Sequence, residues 1–143
     1  AHRRYGCEHF MIDSLMRIEG LEENYPAQGE FTTRLQNFVK ETGTHAHLVC
    51  HLAKPSGNKA GATASTSAYD IKGSSLLANN PDNVILISRN AEKDKLRKAG
   101  KLSAEQHTVM HDTEIYIEKQ RDSGWTGLFK LHFHPHRFSY SKL

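Results

Sequence analysis

The chain has 143 residues, 37% of them apolar, with a formal net charge of +3, long enough for one domain, 1–143, with a core of its own. No run approaches the ~18 apolar residues of a membrane span and no segment has the form of a signal peptide, so the expectation is a cytoplasmic protein with no membrane partner. The mild basic balance is compatible with nucleic acid without requiring it.

In chain order, His9, Phe10, Met11 and Ile12 run between Gly6 and the acid Asp13, which reads as a short buried strand with Asp13 at its carboxyl end. Residues 17–30, with Gly20, Pro26 and Gly29, read as a loop. From Gln28 to Thr42, Phe31, Leu35, Phe38 and Val39 fall at helical spacing and Gly43 is a natural stop. HAHLVCHL, 45–52, is a second strand, and the Ala, Gly, Ser, Thr and Lys of 53–69 suggest a mobile segment. DIKGSSLLANN opens as a turn and becomes a short helix, and NVILISRN is a third buried strand. Residues 91–108 are charged, with little apolar face, and read as an exposed helical insertion. TEIYIEKQR, LFKLHFH and RFSYS are three further strands, the first two separated by the turn SGWTG. Cys7 and Cys50 lie in or beside strands without CxxC spacing and read as core thiols.

This order predicts an α/β fold: a mostly parallel sheet with crossover helices, finished by antiparallel hairpins at its C-terminal edge. Such sheets bind ligands at the carboxyl ends of their strands. In phosphate-binding versions an acid there holds Mg2+ through water, and a glycine-rich loop ending in Lys-Ser/Thr cradles the phosphates. No GxxxxGK[ST] occurs in the chain; SGNKAGATAST, 56–66, lacks the order and follows the acid-bearing strand. With a start at Ala1-His2-Arg3-Arg4 rather than Met, the chain reads as a fragment of a longer protein whose phosphate loop lies upstream.

Several segments, in order, resemble the RecA-like motor domain of the DnaB-like replicative helicases, especially the phage and mitochondrial primase-helicases. FMIDSL resembles their Walker B strand, and LQNFVKETGTHAHLVCHLAKP their helix and strand ending in a sensor histidine. DIKGSSLLANNPDNVILISRN is similar to their DNA-contacting loop and next strand, and IEKQRDSGWTG to their strand and turn with an arginine finger. The resemblance implies the C-terminal half of a RecA-like P-loop NTPase fold. It also implies ATP and Mg2+ as cofactors, single-stranded DNA as partner, and a ring hexamer that unwinds DNA at the replication fork.

On this resemblance, Asp13 is the magnesium-side acid, against the alternative of a loop cap, and His51 contacts the γ-phosphate, against a structural imidazole. Asn79 stands where the family has a sensing Gln. Lys72, Gly73 and Ser74 form a channel loop that holds strand phosphates, and Lys54 and Lys59 belong to a neighbouring channel loop or are solvated lysines. Lys119 and Arg121, two apart on one strand, share a face and reach the ATP of the adjacent subunit, or form an ordinary surface pair. The alternating His132, His134 and His136, like His45 and His47, can ligate zinc or nickel, but no Cys or acid completes a set, and adventitious binding is the expectation. The phosphate loop and catalytic glutamate are missing, so the chain alone is expected to be inactive. The rival readings are a truncated, non-enzymatic DNA-binding or oligomerisation module and a RecA-like recombination or repair ATPase.

Overall fold

The computed structural model describes residues 1–53 and 67–143. The chain divides into two compact units, Ala1–Pro81 and Asp82–Leu143.

The first unit is built on a strand-helix-strand crossover. After a short α1 (His2–Tyr5), β1 (His9–Asp13) leads through a 3₁₀ turn at Leu15–Arg17 into α2 (Tyr25–Thr42) and then β2 (His45–Val49). β1 and β2 pair in parallel, from His9 opposite His45 to Asp13 opposite Val49. The helix starts earlier than its apolar spacing predicts. Asn24 caps it by accepting the Ala27 N–H at 3.1 Å, and Pro26 sits in the first turn, where its missing N–H costs nothing. Gly29, expected in a loop, is buried inside α2: a Cβ there would lie 2.7 Å from the Leu76 side chain. The small residue thus lets α2 and α3 (Leu76–Asn79) approach closely. Gly43 ends α2 in the left-handed conformation, as expected.

Leu15, Leu21 and Leu77 form the core, flanked by Ala27, Phe31, Leu48, Cys50 and Ile71. Burial lifts the Cys50 thiol to a pKa of about 11, which keeps it an inert thiol. The two strands are half-buried on one face only: Phe10, Ile12, Ala46 and Leu48 turn inward, while Met11 is 68% exposed. The expectation of a fully buried β1 is corrected accordingly. His9, His45 and His47 share the exposed face, with ring centroids 5.7 Å apart for His9 and His45 and 4.5 Å apart for His45 and His47.

The second unit contains β3 (Asn83–Arg89), α4 (Ala91–Lys98), α5 (Ala104–Val109), β4 (Thr113–Gln120), β5 (Gly127–His134) and β6 (Ser139–Lys142). The strands form one antiparallel sheet in the order β3-β4-β5-β6. This corrects the expectation that the third strand continues the parallel sheet. A helix between two strands suggests a crossover, but α4 and α5 form an excursion that returns the chain beside β3 running the opposite way. The fold is therefore mixed α/β, with a parallel pair and an antiparallel sheet among the described residues.

The excursion is anchored in a way its composition hides. Lys93 on α4 has no exposed surface. Its ammonium donates to the carbonyls of His107 and Met110 and to Asp112 Oδ2 at 3.0 Å. Asp112 also accepts from Arg97 and, at 3.1 Å, from the Phe133 N–H. Burial pushes the Asp112 carboxyl upward, but the hydrogen bonds from Arg97, Lys93 and Phe133, with the charge of Lys93, outweigh it and hold the group well below the usual carboxylate range. No helix of the described residues is long and apolar enough to cross a membrane.

Candidate functional site

Because β1 and β2 are parallel, their carboxyl ends lie at the same edge, and the residues just beyond them meet. Asp13 closes β1, and His51, expected inside a strand over 45–52, falls two residues past the end of β2 at Val49, which corrects that strand's length. Asp13, Ser14, Arg17 and His51 line one open, polar cleft. Ser14 is 6% exposed, its hydroxyl 3.4 Å from His51 Nε2, and the peptide joining it to Asp13 is cis. The 3₁₀ turn, closed by the Arg17 N–H on the Ser14 carbonyl at 2.9 Å, brings the Arg17 guanidinium to the same cleft. Among the described residues, neither the Asp13 carboxylate nor that guanidinium has a hydrogen-bond or ion-pair partner. One exposed carboxylate suits a magnesium ion that keeps most of its waters, and does not make a protein cage. Beside it a cation and an imidazole can receive an anion. Together these groups can receive a hydrated cation beside an anion.

The loop predicted to hold DNA lies at the other side of His51. Ala53 N–H donates to the Asp70 carbonyl at 2.7 Å and Lys72 N–H to the His51 carbonyl at 2.9 Å, flanking an antiparallel bridge of Leu52 with Ile71. Lys72 is exposed, 3.9 Å from Glu23, a spacing worth little in water. Gly73 has φ 136, and a Cβ there would lie 2.3 Å from Gln28 Oε1. Ser74 N–H donates to that same oxygen at 2.9 Å. Lys72, Gly73 and Ser74 thus form one shaped turn whose peptide groups are held and whose lysine faces solvent.

The remaining predicted residues are spread out. Asn79 is exposed at the end of α3, its N–H on the Ser75 carbonyl, and is not among the four residues that line the cleft. Lys54 and Lys59 lie outside the described residues. In the second unit, Lys119 is on β4 opposite Val84, after a register shift that makes Glu118 the extra residue. Arg121 falls just past the end of β4 at Gln120, which corrects the placement of both on one regular strand. Its guanidinium meets Asp82 Oδ1 at 2.7 Å and its N–H donates to the Asp82 carbonyl at 2.8 Å. His132 and His134 share a strand face as expected, with His132 3.6 Å from Asp112. Among the described residues no group of three or more His, Cys, Asp or Glu is arranged to hold a metal ion.

No family model matches the chain. It is similar to a DNA helicase/primase of Enterobacteria phage T3, 27% identical over 136 residues. That similarity covers 84% of this chain and 22% of the phage protein, so the chain spans about a fifth of that relative's length. This degree of similarity supports a relationship to helicases.

Two residues of the first unit escaped sequence reasoning. Arg17 falls in a polar stretch with nothing to single it out, although its position four residues after Asp13, across a turn, was available. Gln28 reads as a solvated position at a helix start. The structure makes it one of the most buried side chains described.

Proposed function

We propose that this chain is the C-terminal half of the RecA-like motor domain of a ring-forming, ATP-driven DNA helicase of the primase-helicase type. The observation that carries the reading is the meeting of Asp13 and His51 at the carboxyl ends of two parallel strands, in a polar cleft with Ser14 and Arg17. The similarity to the phage helicase/primase adds to it.

On this reading ATP binds between subunits, and its phosphate cradle comes from a part of the parent protein outside this chain. Magnesium, when bound, neutralises charge on the terminal phosphates. With the ion bound, Asp13 would hold its water shell, while His51 and Arg17 would meet the phosphate and register its presence or loss. Lys119 and Arg121 reach the neighbouring subunit's nucleotide, where arginine charge favours phosphoryl transfer. For that, Arg121 has to leave Asp82, an exposed pair worth ~0–1 kcal/mol. The Lys72–Ser74 turn holds strand phosphates without reading bases, and the hexameric ring multiplies that single contact.

The test is magnesium-dependent ATP hydrolysis by the full-length protein, stimulated by single-stranded DNA. Asp13→Ala is expected to abolish it while ring formation persists. Undiminished turnover in Asp13→Ala would end the reading.

A further inference from the structure

We propose that Gln28 is a positioning residue that couples the cleft at Asp13 to the DNA-binding turn at Lys72. The inference rests on the reading of Lys72 as a strand-phosphate contact, and it names what moves that contact.

Gln28 has no exposed surface, and a buried carboxamide is tolerated only where both its ends are satisfied. Its Nε2 donates to the Leu21 carbonyl at 2.6 Å, and its Oε1 accepts the Ser74 N–H at 2.9 Å. Each of these contacts lies on a path to the cleft. From Ser14 the path follows the chain, braced by backbone hydrogen bonds: Arg17 N–H to Ser14 O, Ile18 N–H to Leu15 O, and Leu21 N–H to Ile18 O. Leu21 then passes to Gln28, and Gln28 to Ser74. On the other side, Lys72 N–H bonds the His51 carbonyl, and the His51 ring approaches the Ser14 hydroxyl. The turn is therefore attached to the cleft twice, by the backbone at His51 and by one side chain at Gln28.

Gly73 sits between the two attachments, and the amide oxygen of Gln28 occupies the space that a Cβ at Gly73 would fill. Leu15, Leu21 and Leu77 pack around this circuit as one core. Packed elements shift as bodies rather than deform continuously. A displacement of the Ser14–Leu21 segment when phosphate arrives or leaves is then carried to Ser74 through the carboxamide. Lys72 moves relative to the strand it holds.

The experiment uses the full-length protein, a fluorescent dT oligonucleotide and two nucleotide states, ADP and AMP-PNP, each with magnesium. The wild-type protein is expected to bind the oligonucleotide with different affinity in the two states. Gln28→Met, close in volume but without either hydrogen bond, is expected to bring the ratio of those affinities at least about fivefold closer to one, the lower end of ordinary coupling, with nucleotide binding and ring formation retained. Equal affinities in the wild type, or a wild-type ratio in Gln28→Met, would overturn the proposal. Lys72→Ala separates the two readings: lowered affinity in both states with an unchanged Gln28→Met ratio removes only the coupling, whereas unaltered affinity in Lys72→Ala removes the turn assignment and the coupling with it. Hydrogen exchange at the Ser74 amide of the wild-type protein needs no variant and decides the matter where Gln28→Met fails to assemble. A rate differing at least about fivefold between the nucleotide states is expected, and equal rates overturn the proposal.

Discussion

The ammonium of Lys93 and the carboxylate of Asp112 are 3.0 Å apart with side chains 0% and 8% exposed, so a helix of charged residues is anchored through its buried lysine. Losing one partner of a buried pair costs about 3–5 kcal/mol when the other charge is left alone; here Arg97 and the Phe133 N–H stay on Asp112, so the lower end of that range applies. Lys93→Ala is expected to destabilise the second unit by roughly that amount, and Lys93→Met, which keeps the packing, by less when combined with Asp112→Asn. Trp125, the single tryptophan and part of that unit, reports the transition in a denaturant titration. A midpoint unchanged in Lys93→Ala would contradict the anchoring role.

The same pair sets a pH dependence. The folded-state pKa of Asp112 is depressed, so its contribution to stability is fully present above the unfolded carboxylate value of about 3.9 and is lost as pH falls through the folded value. Thermal melts of the wild-type chain are expected to lose stability below about pH 4, with a shallower loss in Asp112→Asn. Parallel curves for the two proteins would assign acid unfolding to other carboxylates.

Gly73→Ala places a methyl group 2.3 Å from Gln28 Oε1 in a backbone conformation of φ 136 that residues with a Cβ rarely adopt. The turn has to rearrange. Oligonucleotide binding by the full-length protein is expected to fall about as far as in Lys72→Ala, as measured by titrating the fluorescent dT oligonucleotide.

On the proposed reading, Lys72→Ala in the full-length protein is expected to weaken single-strand binding alike on every sequence and to flatten its salt dependence. Each lost phosphate contact removes about 0.7 from the logarithmic salt slope on single strands. A sequence-dependent loss would mean that the turn reads bases.

Arg121→Ala is expected to form rings and bind ATP while losing most hydrolysis. Mixed with Asp13→Ala, some interfaces combine an intact Asp13 with an intact Arg121, and part of the activity returns. If mixed rings form without recovery, diluting wild-type subunits with either mutant distinguishes the causes: a steep loss indicates coupling of all sites, whereas a proportional loss ends the role of Arg121 in the neighbouring site.

What the sequence determined by itself is local. The apolar run ending at Asp13, the helical spacing closed by Gly43, the strand leading to His51, and the Gly73 and Ser74 turn all follow from periodicity and capping within a few residues, and the parallel crossover placed Asp13 and His51 at one edge. Only the tertiary structure decided which distant residues meet. Gln28 and Lys93 are polar and stand among polar neighbours, so nothing nearby marks them as buried; their partners lie at Ser74 and Asp112, across chain separations that no local pattern records. The direction of β3 was hidden for the same reason, since a connecting segment long enough to cross over is also long enough to turn back, and the choice rests on hydrogen bonds between strands.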